Sequence, residues 1–378
     1  MNVTDATPNI RTVMIRAVRK RLIGREVGPL PNGRGSVGRC SVNRARRAVV
    51  VGLVVFFTAQ VLMSVAIRRE WVPVGDPVFA EKIALLRQHP QFFTTDTPVT
   101  PRVLMLGSSR THLAFDAAKF ATATNTTAFN FGCPAAGPMT SALYLRRLRA
   151  MGVTPDFVFV EFHPGFLTLT DPPFEGQWLH AYRLRHGEPD HLRRFGWNIP
   201  TPPHHSWTGW GKTTWDFRFG LLNHYAPGVL PCPFGLTVGA RNDPFGYVEG
   251  IETKPADMPR ALKRTQDQYA PVLKDYHIGG PGFEALRDIL TVCRDANIRA
   301  AIVVTPEATV LRSWYRAEGN ADIATFAKRL TQEFGVPLYD ARDWVPDGAF
   351  ADGHHLTARG ATIFTERLAV ESQQNGRR

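Results

Sequence analysis

The hydrophobic residues of the chain form one long run near the N-terminus and several short runs further along. The long run, residues 48–67, reads AVVVGLVVFFTAQVLMSVAI and contains no formal charge. As an α-helix it extends about 30 Å, the thickness of the hydrocarbon core of a bilayer. It predicts a transmembrane helix in which Thr58, Gln60 and Ser64 are the only residues with a hydroxyl or amide side chain. A buried core helix is the alternative, but such helices rarely run this far without a charge.

The short apolar runs have the length of buried strands, and amphipathic segments separate them. Helical spacing of apolar positions is present at residues 137–151 and 357–371. Apolar strands that alternate with amphipathic helices predict a parallel sheet covered on both faces. We therefore expect an α/β fold, a three-layer α/β/α sandwich with a flavodoxin-like sheet. The strands are predicted at residues 102–106, 128–131, 156–162, 299–304 and 336–339.

The alternation is interrupted once, by residues 164–280. This stretch is too long for a loop and has little periodicity apart from a helix near residues 258–269. It predicts an insertion at the C-terminal end of the third strand, where open α/β sheets bind ligands. Its tryptophans either fill a small core of the insertion or line a sugar or acyl groove. They are Trp178, Trp197, Trp207, Trp210 and Trp215.

The charge of the chain is concentrated at the N-terminus. The net charge is +12, and residues 1–47 carry +9 of it, with ten Arg and one Lys against Asp5 and Glu26. A basic segment next to an apolar run indicates the cytoplasmic side of a membrane, so we expect the rest of the chain outside the cytoplasm. The arm has no interleaved aromatic residues, so nucleic acid is not an expected partner.

These patterns predict the domain organisation. A basic cytoplasmic arm (1–47) precedes a transmembrane helix (48–67) that contacts membrane lipid, a stalk (68–100) with one helix at 77–88, and an extracytoplasmic α/β domain (101–378). A cleaved signal peptide is the alternative to the anchor, because Ser64-Val65-Ala66 fits a small-x-small cleavage site. The apolar run is long for a signal peptide, and an n-region of this length is unusual.

The cysteines and histidines predict no metal site and no cofactor. There are four cysteines and no C-x-x-C spacing, and the pairs His204-His205 and His354-His355 lack the i, i+4 spacing of helix-borne ligands. Cys133 is interpreted as a packing residue. Whether Cys232 and Cys293 form a disulfide is left open by the sequence.

Two short motifs have the residue types of nucleophilic catalysis. Ser109 follows the first predicted strand at a Gly107-Ser108-Ser109 turn, where a serine Oγ can lie above the sheet edge and its N–H can face an oxyanion. Asp352 lies three residues before His355 at the start of the last helix, and such an Asp can fix the imidazole as a general base. Taken singly, the motifs also fit an ordinary turn and a helix cap.

Together with Asn130-Phe131-Gly132 after the second strand, these motifs resemble the SGNH hydrolases, the GDSL-type esterase and acyltransferase superfamily, over about residues 100–372. The resemblance implies that Ser109 is the nucleophile, that Asp352 and His355 complete the triad, and that the N–H groups of Ser109 and Gly132 form the oxyanion hole. Ser108 and His354 are the neighbouring alternatives. The superfamily's Asn after the third strand is replaced by His163, which is a possible third donor, and Glu161 is interpreted as structural.

Topology refines this resemblance. The single anchor and the exported domain resemble members that modify cell-surface polymers, such as the O-acetylation proteins of alginate-like polysaccharides and the D-alanyl transfer protein of teichoic acids. We expect a serine esterase or O-acyltransferase acting on acyl, above all acetyl, esters of an extracytoplasmic carbohydrate polymer. The alternative is a non-catalytic protein of polysaccharide binding or assembly that retains the fold, and the oligomeric state is open.

Overall fold

The computed structural model describes residues 39–69, 71–72, 74–94, 99–199, 213–226, 229, 242–273 and 276–376. Two compact units are present, residues 1–56 and residues 57–378. Within the described residues, one stretch of helix, Asn43–Ile67, is long and apolar enough to cross a membrane. The predicted residues 48–67 lie inside it.

The order of elements alternates between strands and helices from residue 102 onwards. Short turns of 3₁₀-helix, at Pro90–Phe93 and Pro164–Leu167 among others, connect some of them. The helices are α1 Arg39–Arg68, α2 Pro77–Leu86, α3 Ser109–Ala114, α4 Ala117–Thr124, α5 Pro138–Ala150, α6 Glu188–Arg194, α7 Thr213–Asp216, α8 Arg218–Tyr225, α9 Met258–Leu273, α10 Gly280–Asp295, α11 Thr309–Arg312, α12 Ala317–Phe334 and α13 Ala358–Gly376. The strands are β1 Arg102–Gly107, β2 Thr127–Gly132, β3 Phe157–Phe162, β4 Arg299–Val304 and β5 Leu338–Asp340.

The five strands form one parallel sheet in the order β2-β1-β3-β4-β5. This is the flavodoxin-like order, so the predicted fold class is confirmed. In register, Gly107 at the end of β1 pairs with Gly132 at the end of β2, and Leu106 pairs with Val160 of β3. The three strand ends that carry the sequence motifs therefore lie side by side at the carboxyl edge of the sheet.

Alternate residues of each strand point into two separate cores. Leu104 and Val158 belong to one core, with α2, α5, α10 and α12, whereas Met105 and Phe159 belong to the other, with α4 and α13. This alternation arises because successive side chains of a strand face opposite sides. Buried apolar and aromatic residues on both faces explain why the strands read as continuous apolar runs.

The segment expected as a stalk packs into the first core instead of standing apart. Phe79, Ile83, Leu86 and Phe92 are buried there. Lys82 is buried as well, and its Nζ donates to the carbonyl oxygen atoms of Asn130, at 3.0 Å, and of Gly246. Residues 77–93 are thus part of the α/β core.

The insertion also adds to the core domain. It begins and ends in adjacent positions, because Thr168 and Ile278 form an antiparallel bridge. Glu175 caps α5, and its carboxylate accepts hydrogen bonds from the N–H groups of Gly137, Met139 and Thr140 at 2.9, 2.9 and 2.7 Å. These bonds satisfy donors that the first turn of a helix cannot pair internally.

The described tryptophans of the insertion have different surroundings. Trp178 and Trp197 pack against the first core, whereas the Trp215 side chain is 67% exposed. Trp207 and Trp210 lie outside the described residues. Two of the five tryptophans therefore pack against the core that the insertion shares with the α/β domain.

Candidate active site

The turn after β1 places Ser109 at the first position of α3. Ser108 is the N-cap residue, and its Oγ accepts a hydrogen bond from the N–H of Arg110 at 3.1 Å. Gly107 permits a close approach, because a Cβ at this position would overlap the side chains of Glu161 and Thr111. Glycine at the strand end therefore lets the turn pack directly on β3.

The turn before α13 holds Asp352 and His355 in a fixed relation. Asp352 Oδ1 accepts from the backbone N–H groups of His354, at 3.2 Å, and of His355, at 2.8 Å. The same turn is closed by the Ala351 N–H, which donates to the His355 carbonyl at 2.8 Å. An Asp that bonds the backbone two and three residues on stabilises a tight turn, which explains why the two residues are spaced as they are.

The three predicted residues meet in one chain of hydrogen bonds. Asp352 Oδ2 lies 2.8 Å from His355 Nδ1, and His355 Nε2 lies 2.8 Å from Ser109 Oγ. The side chains of Asp352 and His355 are each 23% exposed, and Ser109 is half-buried, so an external ligand can reach them. The distances are those of a nucleophile bonded to its base and of a base bonded to the group that orients it.

The neighbouring alternatives have other contacts. Ser108 Oγ donates to Glu161 Oε1 at 3.0 Å, and its contacts do not include His355. His354 Nδ1 lies 3.3 Å from Thr265 Oγ1 and 3.2 Å from Asp352 Oδ1, and the residue is buried. Geometry therefore favours Ser109 over Ser108 and His355 over His354.

The electrostatics of the two turns are set by burial and by hydrogen bonds. Burial alone raises the pKa of Asp352, but the hydrogen bond from His355 and the charges of His355 and His354 lower that pKa below its ordinary value. The carboxylate is consequently ionised throughout the neutral range. Burial, with His355 beside it, holds the pKa of His354 well below its ordinary value, so this ring is neutral.

Gly132 differs from its expected role. Its N–H donates to Asn130 Oδ1 at 2.8 Å and is therefore not available to an oxyanion in this arrangement. The amide of Asn130 in turn donates to the carbonyl oxygens of Thr111, at 3.0 Å, and Phe115, at 2.7 Å. Asn130-Phe131-Gly132 therefore fixes α3 against the end of β2.

His163 likewise has both ring nitrogens engaged. The Gly165 N–H donates to Nδ1 at 3.1 Å, so Nε2 is the protonated nitrogen and donates to the Tyr269 hydroxyl at 2.9 Å. Burial, with Arg110 and His354 nearby, holds the pKa of His163 well below its ordinary value. His163 is thus a neutral, buried donor to Tyr269 and not a free donor for an oxyanion.

Tyr269, on α9 of the insertion, contacts both His163 and His354, which the sequence did not reveal. It is buried, and its ring meets the ring of His354 edge-on with a centroid distance of 5.4 Å. Burial raises the pKa of Tyr269, so the hydroxyl keeps its proton. Because the oxygen accepts from His163, that proton remains available for donation. An aromatic residue on an amphipathic helix gives no sequence signal for this role.

Below the turn, buried charged groups hold the first residues of α3. Glu161 accepts hydrogen bonds from the backbone N–H and the hydroxyl of Ser108, and from Thr111 Oγ1 at 2.9 Å. Arg110 pairs with Glu307 at 3.1 Å, and the two side chains are 1% and 0% exposed. Glu161 is therefore structural, as expected from the sequence, and it fixes the turn that carries Ser109.

The site also resembles a metal centre in one respect. Asp352, His354 and His355 each offer a ligand atom, and these atoms lie within 4.8 Å of one another. Both nitrogens of His355 are, however, already bonded to Asp352 and Ser109. This donor set fits a hydrogen-bonded triad better than it fits a cation.

Cys133 and Cys293 are free thiols. Cys133 and Cys293 are buried, and burial raises the pKa of each to about 12, which makes the thiolate scarce. Cys133 is therefore a poor nucleophile and fits the packing role expected for it. Cys232, the partner considered for a disulfide with Cys293, lies outside the described residues.

This chain has similarities to one protein-family model and to several solved structures. A protein-family model matches residues 259–375, less than half of the chain, a range that includes Asp352 and His355 but not Ser109. The comparison with curated proteins finds no match. Among solved structures, a proposed acylhydrolase from Bacteroides fragilis matches with 10% identity over 77% of this chain and 95% of its own, with a TM-score of 0.37.

Two further matches have similar values. A lipase/acylhydrolase from Enterococcus faecalis is 10% identical over 73% of this chain and 96% of its own, with a TM-score of 0.32. A carbohydrate acetylesterase from Sinorhizobium meliloti is 13% identical over 72% of this chain and 99% of its own, also with a TM-score of 0.32. At such low identities and TM-scores these matches assign no function to this chain, and the geometry around Ser109 must do so.

Proposed function

We propose that the chain is a serine esterase or O-acyltransferase of the SGNH type. Its substrates are acyl, above all acetyl, esters of a carbohydrate polymer outside the cytoplasm. The observation that carries the proposal is the continuous contact from Asp352 through His355 to Ser109, with 2.8 Å at each step. A serine, a base and an acid that orients the base are the groups that acyl transfer through a covalent intermediate requires.

The reaction follows from these contacts. Ser109 Oγ attacks the ester carbonyl while its proton passes to His355 Nε2, and the carbonyl oxygen becomes an oxyanion. The C–O bond to the alcohol then breaks, and His355 returns the proton to the departing oxygen. Water or a sugar hydroxyl next gives its proton to His355 and attacks the acyl-enzyme; the bond from the acyl carbon to Ser109 Oγ then breaks, and His355 returns the proton to Oγ. Asp352 stabilises the imidazolium that forms in each half-reaction.

In this mechanism the N–H of Ser109 is one oxyanion donor. The donors expected at Gly132 and His163 are bonded elsewhere, and we assign a further donor role to the Tyr269 hydroxyl, which His163 holds at 2.9 Å. In this proposal the donor after the third strand is the Tyr269 hydroxyl, which His163 positions, instead of the side chain of His163 itself. One such donor is worth about 3 kcal/mol of transition-state stabilisation in acyl transfer.

The location in the cell is proposed from the N-terminal segment. The basic arm at residues 1–47 and the apolar helix Asn43–Ile67 fit a single-pass anchor with a cytoplasmic N-terminus. The catalytic domain then lies at the outer face of the membrane. This position favours cell-envelope polymers over cytoplasmic metabolites as substrates.

The test uses the purified full-length protein and a fluorophosphonate probe that reacts with activated serines. We expect labelling of the wild type and hydrolysis of an aryl acetate, both lost in Ser109→Ala, with a fall in kcat of about 10⁵-fold or more. Ser108→Ala is the matched control, because its hydroxyl bonds Glu161 and not His355. An unlabelled and inactive wild type would overturn the proposal in favour of a binding protein, and a Ser109→Ala protein with full activity would overturn Ser109 as the nucleophile.

A further inference from the structure

Two polar residues in the last part of α1 have partners in the insertion. Gln60 Nε2 donates to Thr214 Oγ1 at 2.6 Å, and the Thr214 N–H donates to Gln60 Oε1 at 3.1 Å. Ser64 Oγ bonds Thr213 Oγ1. Polar groups in an apolar helix are costly unless they are paired, so these bonds account for a Gln and a Ser in an otherwise apolar run.

Apolar contacts extend the same interface. Ile67 of α1, Val74 and Phe217, between α7 and α8, form a small buried cluster. Met63 and Leu221 pack against it. Helices α7 and α8 are therefore attached to α1 by both hydrogen bonds and apolar packing.

The position of Gln60 along α1 determines how deep in a membrane this attachment would lie. Gln60 precedes Ile67 by seven residues, which corresponds to about 10 Å along a helix. If α1 crosses the membrane, Thr213 and Thr214 lie at the level of its outermost turns. Amphipathic helices that lie in a membrane surface are buried by about 5 to 10 Å at the boundary of headgroups and acyl chains.

Several apolar and aromatic residues next to this attachment are exposed. Trp215 is 67% exposed, Tyr225 65% and Val229 67%, and Leu222 lies between them on α8. Trp71, just after α1, is 73% exposed. Single exposed apolar side chains are ordinary, but Trp215 directly follows Thr213 and Thr214, which bond α1, and Trp71 comes three residues after the end of α1.

The charged groups nearby fit the same environment. The Arg218 guanidinium stacks on the Trp215 ring, 4.3 Å from its centroid, and Asp216 between them is exposed. The exposed residues Arg69 and Arg87 line a cavity of about 750 Å³ that also contacts Trp71. Tryptophan and tyrosine are enriched where hydrocarbon meets headgroups, and arginine there reaches the phosphates.

We propose that residues 213–226 and Val229, together with Trp71, form an interfacial segment that inserts into the outer leaflet beside α1. The partner is the phospholipid surface. The exposed aromatic residues are next in sequence to α1 and to the residues bonded to it, and this proximity to an apolar helix favours lipid over a second copy of the chain. The inference rests on the membrane crossing of α1 in the proposed function, and it adds a second, peripheral attachment that restrains the catalytic domain at the membrane surface.

The test measures tryptophan fluorescence of the full-length protein in nanodiscs that hold one copy each. The discs contain phosphatidylcholine and phosphatidylglycerol, with bromine either near the carbonyl or near the end of the acyl chain. We expect quenching by the shallow bromine to exceed quenching by the deep bromine, and to decrease in Trp215→Phe and in Trp71→Phe. Trp344→Phe is the matched control, because Trp344 packs on Phe364 and Arg367 within the α/β domain.

Equal quenching of wild type, Trp215→Phe and Trp71→Phe would overturn the inference. A second set of discs holds two copies of the protein each. Shallow quenching that is absent with one copy and appears only with two would also overturn the inference, because it would indicate a dimer surface. Fluorophosphonate labelling of the same samples tests the serine site independently of the quenching. A labelled protein without shallow quenching thus contradicts the interfacial segment alone, and quenching without labelling contradicts the proposed enzyme alone.

Discussion

Two groups of polar residues lie at the carboxyl edge of the sheet, and they differ in how their hydrogen bonds are used. In the first group, Ser109 and His355 face each other and remain partly exposed. In the second group, at the end of β3, Glu161 and His163 are buried and bonded to backbone groups and neighbouring side chains. Exposure, more than residue type, therefore separates the proposed reacting groups from the groups that position them.

The largest effect is expected when Asp352, which bonds His355 of the first group, is changed. Asp352→Asn keeps the size of the side chain but removes the charge that stabilises His355, so kcat should fall by about 10⁴-fold. The pKa of Asp352 is lowered, so the carboxylate stays ionised as the pH falls into the acidic range. The kcat of the wild type should thus exceed that of the variant at every pH from about 5 to about 8. Equal kcat values at the acidic end of this range would show that the carboxylate protonates there.

A smaller effect is expected for Tyr269, which bonds His163 of the second group. Tyr269→Phe removes the hydroxyl that His163 holds, and kcat should fall by about 10²-fold with little change in KM. Tyr276→Phe is the control, because that hydroxyl is also buried but bonds the Pro164 carbonyl, at 3.1 Å. Steady-state kinetics and thermal unfolding of both variants separate the outcomes. Equal losses of kcat in the two variants would mean that Tyr269 acts through stability alone.

The smallest effect is expected at His354, which belongs by its contacts to the buried group. His354→Gln should lower kcat/KM by less than about tenfold, because His355 keeps its own bonds to Asp352 and Ser109. His355→Gln, measured in parallel, should lower kcat/KM by several orders of magnitude. If the two variants exchanged these values, His354 would be the general base.

The sequence predicts the residues of the first group because their relation is local. Asp352 and His355 are fixed by one tight turn, and Ser109 by the end of a strand whose apolar run is unmistakable. The strand positions agree with the structure to within about two residues, which is the usual uncertainty of element ends. Expectations based on local spacing were therefore the ones that the geometry matched most closely.

The second group depends on contacts that spacing does not contain. The Gly132 N–H is taken by a side chain two residues earlier, and His163 is bonded to Tyr269, 106 positions away. Neither bond can be recognised from the pattern of apolar and polar residues. The same limit applies to residues 77–93, where prolines suggested a stalk although Phe79 and Phe92 complete the core.

The cap on α5 bears on how this protein can be dissected. Glu175 belongs to the insertion, yet it supplies the acceptor for three backbone N–H groups of a core helix. A minimal α/β domain with residues 164–280 trimmed away would leave those donors without their partner. The insertion is thus not an interchangeable module, and a transplanted version from a relative must bring a carboxylate to the same helix end.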